Sequence, residues 1–263
     1  MREHISQVLY ERSRCESVFR NGASDSGADS AVLFLLGSNV TGMDGPPETC
    51  IVLNKRSVKV RQPGDLCFPG GRVAPHLDLW LSKILRLPFS PIIRPHDRYK
   101  WRQKRPEDSH RLLLLATSLR ESMEEMRLNP LGVTFLGPLP PQRLAMFRRV
   151  IYPMVGWIGR QKRFFPNWEV EKVVSIPLRN LLKQTGYARY RLRMGSVQGM
   201  EGRVKDFPCF VHRDGVEREL LWGATYRIVM DFLEIVFGFS PPDVESLPVI
   251  RGTLSSNYLT GEG

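Results

Sequence analysis

The stretch Leu119-Arg120-Glu121-Ser122-Met123-Glu124-Glu125 decides how this chain is read. It spells R-E-x-x-E-E inside an apolar pattern of helical period, with Leu112, Leu115, Ala116, Leu119, Met123 and Met126 expected on one buried face. On a helix Glu121, Glu124 and Glu125 stand at i, i+3 and i+4, so three carboxylates share a second face. Like charges so placed repel, and a cation should sit among them; hard oxygen donors suit Mg²⁺ or Mn²⁺. The plainer alternative is a solvated acidic face beside arginines. Asn129-Pro130 supplies the helix stop, because proline disfavours helix in the residue before it.

Upstream lies Phe68-Pro69-Gly70-Gly71-Arg72. Alone it is a turn signal, but paired glycines also let main chain approach a ligand closely. It follows an expected strand, Cys50 to Lys55, and the basic segment Lys55 to Gly64.

In this order the segments resemble the Nudix hydrolases, whose signature is a glycine, a loop and then R-E-x-x-E-E on a helix. Arg56-Ser57, Arg61, Gly64 and Phe68-Pro69-Gly70-Gly71 are similar to the extra motif of the coenzyme A diphosphatase branch. So, in sequence, are Gly137-Pro138-Leu139, Tyr152-Pro153-Met154-Val155, Glu169-Val170, Ile176-Pro177-Leu178 and Trp222-Gly223-Ala224-Thr225. The resemblance covers residues 30 to 240.

Three departures stand out. Gly71 and Arg120 are 49 positions apart (120 − 71), so an insertion over residues 74–109 splits the signature. Arg127 occupies the place, two residues after the last glutamate, where the family carries glycine, which puts the tight helix exit in question. The family's upstream glutamate has three candidates here, Asp78, Glu107 and Asp108, and the sequence does not choose among them.

The resemblance implies an α/β fold, a Nudix-like α/β/α sandwich with a mixed β-sheet. It implies hydrolysis of a diphosphate with Mg²⁺ (or Mn²⁺) held by Glu121, Glu124 and Glu125. Catalytic roles fall to Glu121 and Arg120, with Glu169 as the second candidate base. Substrate binding falls to Arg56, Arg61, Phe68, Gly70 and Gly71. Arg120 is expected to pair with a carboxylate of the signature; a surface ion pair would be worth under about 1 kcal/mol.

Composition agrees with a globular protein. Apolar residues make up 42% and charged residues 25%, and no apolar run is long enough to span a bilayer. The start, Met1-Arg2-Glu3-His4, leads into a charged segment without a signal-peptide core, so a cytoplasmic protein with no membrane partner is expected. Cys15, Cys50, Cys67 and Cys209 show no C-x-x-C spacing and read as reduced thiols. The net charge of +11 suits a phosphorylated partner. Coenzyme A is the expected one, with Lys55, Arg56, Lys59 and Arg61 as its docking group; nucleic acid is disfavoured and a homodimer is left open. Walker, H-E-x-x-H and G-x-S-x-G motifs are missing.

The expected layout is an N-terminal helix and loop (residues 1–30), a hydrolase domain (31–240) and a loosely held tail (241–263). Strands are expected at Ala31–Leu36, Cys50–Lys55, Val133–Leu136, Val150–Gly156 and Val170–Ile176, and a hairpin at Phe207–His212 and Glu219–Trp222. A last helix is expected over 223–238. The basic, aromatic segment Arg94–Arg105 of the insertion reads as a lid or a dimer element. Three functions remain: a coenzyme A diphosphatase, the same chemistry on ADP-ribose or a dinucleotide, and a non-catalytic nucleotide- or nucleic-acid-binding module.

Overall fold

The computed structural model describes residues 1–15, 29–38, 48–87, 90–93, 106–144, 149–194, 204–214, 217–254 and 258. Of the loop expected over Asn21–Ser30, residues 21–28 lie outside them and Asp29 and Ser30 begin the first strand; Arg94–Arg105 also lies outside them. The helices are α1 (Arg2–Cys15), α2 (Pro75–Leu85), α3 (Pro106–Met126), α4 (Leu178–Leu181) and α5 (Gly223–Phe237). The strands are β1 (Asp29–Ser38), β2 (Thr49–Arg56), β3 (Leu66–Cys67), β4 (Gly70–Arg72), β5 (Val133–Pro138) and β6 (Gln142–Leu144). They continue with β7 (Arg149–Ile158), β8 (Val170–Pro177), β9 (Tyr187–Met194), β10 (Val204–Asp214), β11 (Glu217–Trp222) and β12 (Val249–Leu254). This is the expected mixed α/β class with a mixed sheet.

Two compact units divide the chain, Met1–Val52 with Phe68–Phe165, and Leu53–Cys67 with Pro166–Gly263.

In the first unit β1 is central, parallel to β7 and antiparallel to β2 and β4. Beyond β7 lie β5 and β6, both antiparallel to it. The run Ala31-Val32-Leu33-Phe34-Leu35-Leu36 is apolar throughout because both faces of β1 are covered: Leu33, Phe34, Leu35 and Leu36 are fully buried. α3 packs on β1, β4 and β7, α2 packs on α3, and α1 packs on β5. Leu112, Leu115, Ala116, Leu119 and Met126 are buried as expected, but Met123 is exposed. Ser118 and Ser122 replace it in the core. Each hydroxyl donates to a carbonyl of the preceding turn, Ser118 to Leu115 at 2.9 Å and Ser122 to Ser118 at 2.6 Å, which satisfies the buried oxygen.

The second unit holds a four-stranded sheet in the order β11-β10-β9-β12. β10 is antiparallel to β9 and β11, and β12 is parallel to β9. The expected late hairpin is thus present, with a longer first strand. The expectation of a loosely held tail is corrected, since Val249–Leu254 is a paired strand of this sheet. α5 packs on β10 and β11, burying Tyr226, Ile228, Val229, Phe232, Leu233 and Val236. Cys50, Cys67 and Cys209 are free thiols. Among the described residues no helix is long and apolar enough to cross a membrane.

Candidate functional site

The first unit gathers an ionic cluster around Arg120. This arginine is 8% exposed and Asp78 is 0% exposed. Arg120 Nε donates to Asp78 Oδ1 at 2.7 Å and Arg120 Nη2 to Asp78 Oδ2 at 3.3 Å, a bidentate pair. Nη2 also reaches Glu121 Oε1 at 2.9 Å and the Arg72 carbonyl at 3.1 Å, while Nη1 reaches Glu124 Oε2 at 3.2 Å. Arg120, on the same helix, thus places one positive charge among the crowded carboxylates. The surface ion pair considered for Arg120 is ruled out by its burial.

Of the three candidate acids, Asp78 is the one seen to pair with Arg120 among the described residues. It lies in the first turn of α2, 42 residues before Arg120, and accepts from the Ala74 N–H at 2.7 Å and the Thr117 hydroxyl at 2.8 Å. These bonds fix the carboxylate at the start of α2 and against α3. The segment expected to be an insertion thus begins with the acid that anchors the signature arginine. Asp108 instead pairs loosely with Arg111 at 3.8 Å on one helix face, and the Glu107 side chain lies outside the described residues.

Glu121 rests against Gly71. A Cβ on Gly71 would stand 2.3 Å from Glu121 Oε1, so only glycine leaves room for this carboxylate beside β4. Burial pushes the Glu121 carboxyl above its ordinary value; Arg120 opposes that shift, and Glu124 and Asp78 reinforce it. Burial alone would lower the Arg120 guanidinium, but the hydrogen bond to Asp78 and the charges of Glu121 and Asp78 drive it upward. Gly70 packs against the Ala31–Val32 main chain.

Among the described residues no three His, Cys, Asp or Glu side chains converge tightly enough to hold an ion by themselves. The donor chemistry nevertheless fits a divalent ion. Asp78, Glu121 and Glu124 bring three negative charges against the single positive charge of Arg120, a net of −2 (1 − 3). Glu121 Oε2 and Glu124 Oε1 accept no hydrogen bond among the described residues, and the Glu124 side chain is 50% exposed and able to turn. Glu125 is half-buried one residue further along α3.

Arg127, at the position where the resemblance led us to expect glycine, adopts a left-handed conformation with φ +55°. Its N–H reaches the Met123 carbonyl at 3.1 Å, and the Leu128 N–H reaches the Ser122 carbonyl at 3.3 Å. The first is the bond of an αL cap, in which the N–H of the left-handed residue reaches the carbonyl four residues back. The tight exit is retained.

Phe68, expected at the substrate, packs inward. It is 4% exposed and stacks on Phe34, with ring centroids 4.5 Å apart, so it belongs to the core of the first unit.

In the second unit, β2 and β3 form a hairpin closed by main-chain bonds of Arg56 to Asp65 (3.0 Å) and of Gly64 to Arg56 (2.9 Å). Arg56 Nε donates to the Arg61 carbonyl at 2.6 Å, and its two terminal nitrogens have no bond among the described residues. Arg61 and Lys59 are exposed on the same loop. Lys55 does not join this group. It pairs with Glu171 at 3.1 Å and Glu219 at 3.3 Å, in a network that includes Lys172 at 2.7 Å from Glu219. The Glu169 carbonyl accepts from the Ser57 N–H at 2.8 Å, and its own N–H is held by Asn167 Oδ1 at 2.8 Å. Glu169 and Glu121 thus belong to different units.

A cluster that sequence reading missed surrounds Asp65. Trp222 Nε1 donates to Asp65 Oδ1 at 3.0 Å, and the Tyr258 hydroxyl donates to Oδ2. Burial pushes the Asp65 carboxyl up to about 6, against the lowering effects of Tyr258, Trp222 and Arg56.

No family model matches the chain. It is 31% identical over 118 residues to a protein named uncharacterized Nudix hydrolase NudL from Pectobacterium atrosepticum, covering 44% of this chain and 55% of that one. It is 29% identical over 176 residues to Nudix hydrolase 3 of Caenorhabditis elegans, covering 64% and 56%. The chain thus spans little more than half the length of these curated relatives. A MutT/nudix family protein of Enterococcus faecalis, solved by crystallography, aligns over 90% of this chain and 74% of its own length, with a TM-score of 0.42 and 12% identity.

Proposed function

We propose that the chain is a Nudix-type hydrolase that uses a divalent ion to cleave the diphosphate of a nucleoside diphosphate derivative, with coenzyme A or an acyl-coenzyme A as substrate. The observation that carries this reading is the buried Arg120, fixed by Asp78 on one side and bridging Glu121 and Glu124 on the other. Such a cluster holds more acid than its own cation neutralises, on a rigid helix. A fold needing only the buried pair would have no use for the excess.

In this reading Glu121, Glu124 and Glu125 hold Mg²⁺ or Mn²⁺. When bound, the ion polarises phosphoryl oxygens and offsets the negative charge that grows during hydrolysis. Arg120 is a positioning residue, setting the rotamers of Glu121 and Glu124. Gly71 keeps the Glu121 carboxylate in place. Glu121, half-buried, takes the proton of the attacking water, with Glu169 as the second candidate. Arg56 and Arg61 bind phosphate, which is supported by the open nitrogens of Arg56 and the exposure of Arg61. The coenzyme A preference rests on the branch motif from Arg56 to Gly71.

The test is product analysis with Mg²⁺ on coenzyme A, ADP-ribose and NADH, comparing wild type with Glu124→Gln. Expected is release of phosphopantetheine and adenosine bisphosphate from coenzyme A, lowered by about 100-fold or more in the variant. Cleavage of ADP-ribose or NADH alone would keep the chemistry and reject the coenzyme A preference. Folded protein inert on all three with Mg²⁺ and Mn²⁺ would overturn the reading in favour of a binding module.

A further inference from the structure

We propose that one face of the four-stranded sheet in the second unit binds the phosphodiester backbone of a nucleic acid through Arg189, Arg191, Arg193 and Arg251. The proposal does not depend on the hydrolase reading.

The pairing register builds the patch. Successive strand residues alternate faces, so Arg189, Arg191 and Arg193 form a row on one face of β9. Parallel pairing sets Val249, Arg251 and Thr253 of β12 beside them in turn. Antiparallel pairing sets Pro208, Asp206 and Val204 of β10 on the other side. These three columns carry four arginines and one aspartate, a net of +3 (4 − 1).

Asp206 organises the inner part of the row. Arg191 Nε and Nη2 donate to its two oxygens, both at 2.8 Å, and Arg189 Nε lies 3.5 Å from Asp206 Oδ2. Arg193 and Arg251 are exposed and have no carboxylate at ion-pair distance among the described residues. Arg251 also stands opposite Arg191, a like-charge pairing that costs the sheet stability.

Protection of the β12 edge would be the purely structural explanation, since β12 ends the sheet. That role needs charge at the edge strand only. It does not call for a row of three arginines on β9, the strand inside it. Arginine is also the side chain whose planar fork matches phosphate oxygens.

The geometry selects a polymer over a metabolite. Alternate residues of a strand are about 7 Å apart, so the β9 row presents charges over roughly 13 Å of flat surface. Small ligands are bound in concave, largely apolar pockets, whereas a chain of phosphates can follow a flat row. None of the nine residues in the columns is aromatic, so this face offers no ring on which a base can stack. Contacts would be to phosphate and independent of sequence. The overall charge of +11 adds long-range attraction. The sequence alone disfavoured nucleic acid because it did not reveal that these arginines share a surface.

Fluorescence anisotropy of the full chain with labelled single-stranded RNA of about 20 nucleotides, titrated at several salt concentrations, tests this. Expected is a linear fall of log affinity with log salt, with a slope of about −2 to −3 for three or four contacts. Arg193→Ala with Arg251→Ala should weaken binding by about 10-fold or more and flatten the slope by roughly one unit or more. Arg193→Lys with Arg251→Lys should keep most of the slope and lose affinity. Arg160→Ala with Lys162→Ala, the same charge change in the first unit, should do much less. Thermal melts confirm that each variant is folded. The proposal is overturned by absence of binding near physiological salt, or by equal losses in the two alanine pairs. It is also overturned if polyglutamate or anionic phospholipid vesicles bind as tightly with the same dependence on Arg193 and Arg251.

Discussion

Each unit of this protein buries a charge, and the two solve the problem in opposite ways. In the first, the cation Arg120 lies among Asp78, Glu121 and Glu124, and the acids outnumber it by two. In the second, the anion Glu219, 3% exposed, lies between Lys55 and Lys172. That network also carries excess acid, but it sits on Glu171 and Glu217, which are 45% and 66% exposed and solvated. Around Arg120 the excess includes Glu121, which burial keeps from full solvation. Water can screen the first kind of surplus and not the second. The two networks thus differ in where the unbalanced charge sits.

The strongest way to break the comparison is to remove the central charge of each network. Arg120→Leu leaves the buried Asp78 without its cation and should lower unfolding free energy by about 3–5 kcal/mol. Glu219→Gln leaves Lys55 and Lys172 with exposed partners and should cost only about 1–2 kcal/mol. Chemical denaturation of both variants decides the matter; equal losses would mean the two networks do not differ as argued.

A third buried charge sharpens the contrast, because Asp65 has hydrogen bonds but no cation in contact. Its carboxyl is raised from 3.8 to about 6 in the folded protein, so the native state holds the proton more tightly than the unfolded chain. The associated stability is fully present below about pH 4 and is lost as pH rises through about 6, a span of up to about 3 kcal/mol. Asp65→Asn stays neutral and keeps an acceptor for Trp222. Relative to wild type it should gain stability from pH 4 to pH 8. A difference that stays flat over that range would refute the raised value.

The smallest effect expected is at the helix exits. α3 and α5 end with the same pair of bonds, but the left-handed residue is Gly238 after α5 and Arg127 after α3. Arg127→Gly should therefore stabilise the protein by about 1 kcal/mol, read as a small rise in melting temperature. No gain would mean that the arginine side chain makes up for its backbone strain.

The periodicity of α3 was legible because helical spacing alone puts Glu121, Glu124 and Glu125 on one face. The apolar run of β1 and the hairpin formed by β10 and β11 were legible for the same reason: each follows a local period. The contact of Phe68 with Phe34 was not legible, because a phenylalanine beside Pro-Gly-Gly looks the same in sequence whatever it packs on. Lys55 misled because its partners, Glu171 and Glu219, lie more than a hundred positions away. β9 and β12 were missed because the alternating arginines of Tyr187–Met194 hide its apolar period, and β12 has only Val249, Ile250 and Leu254 to signal a strand.

The sequence by itself determined the elements whose residues signal one another within a few positions. Those are the carboxylate face of α3, the buried strand β1 and the amphipathic α5. Only the tertiary structure decided which acid holds Arg120, which cations are already paired, and which arginines share a face. Those outcomes depend on contacts between residues far apart in the chain, where burial and strand register fix the partner and local spacing carries no trace of it.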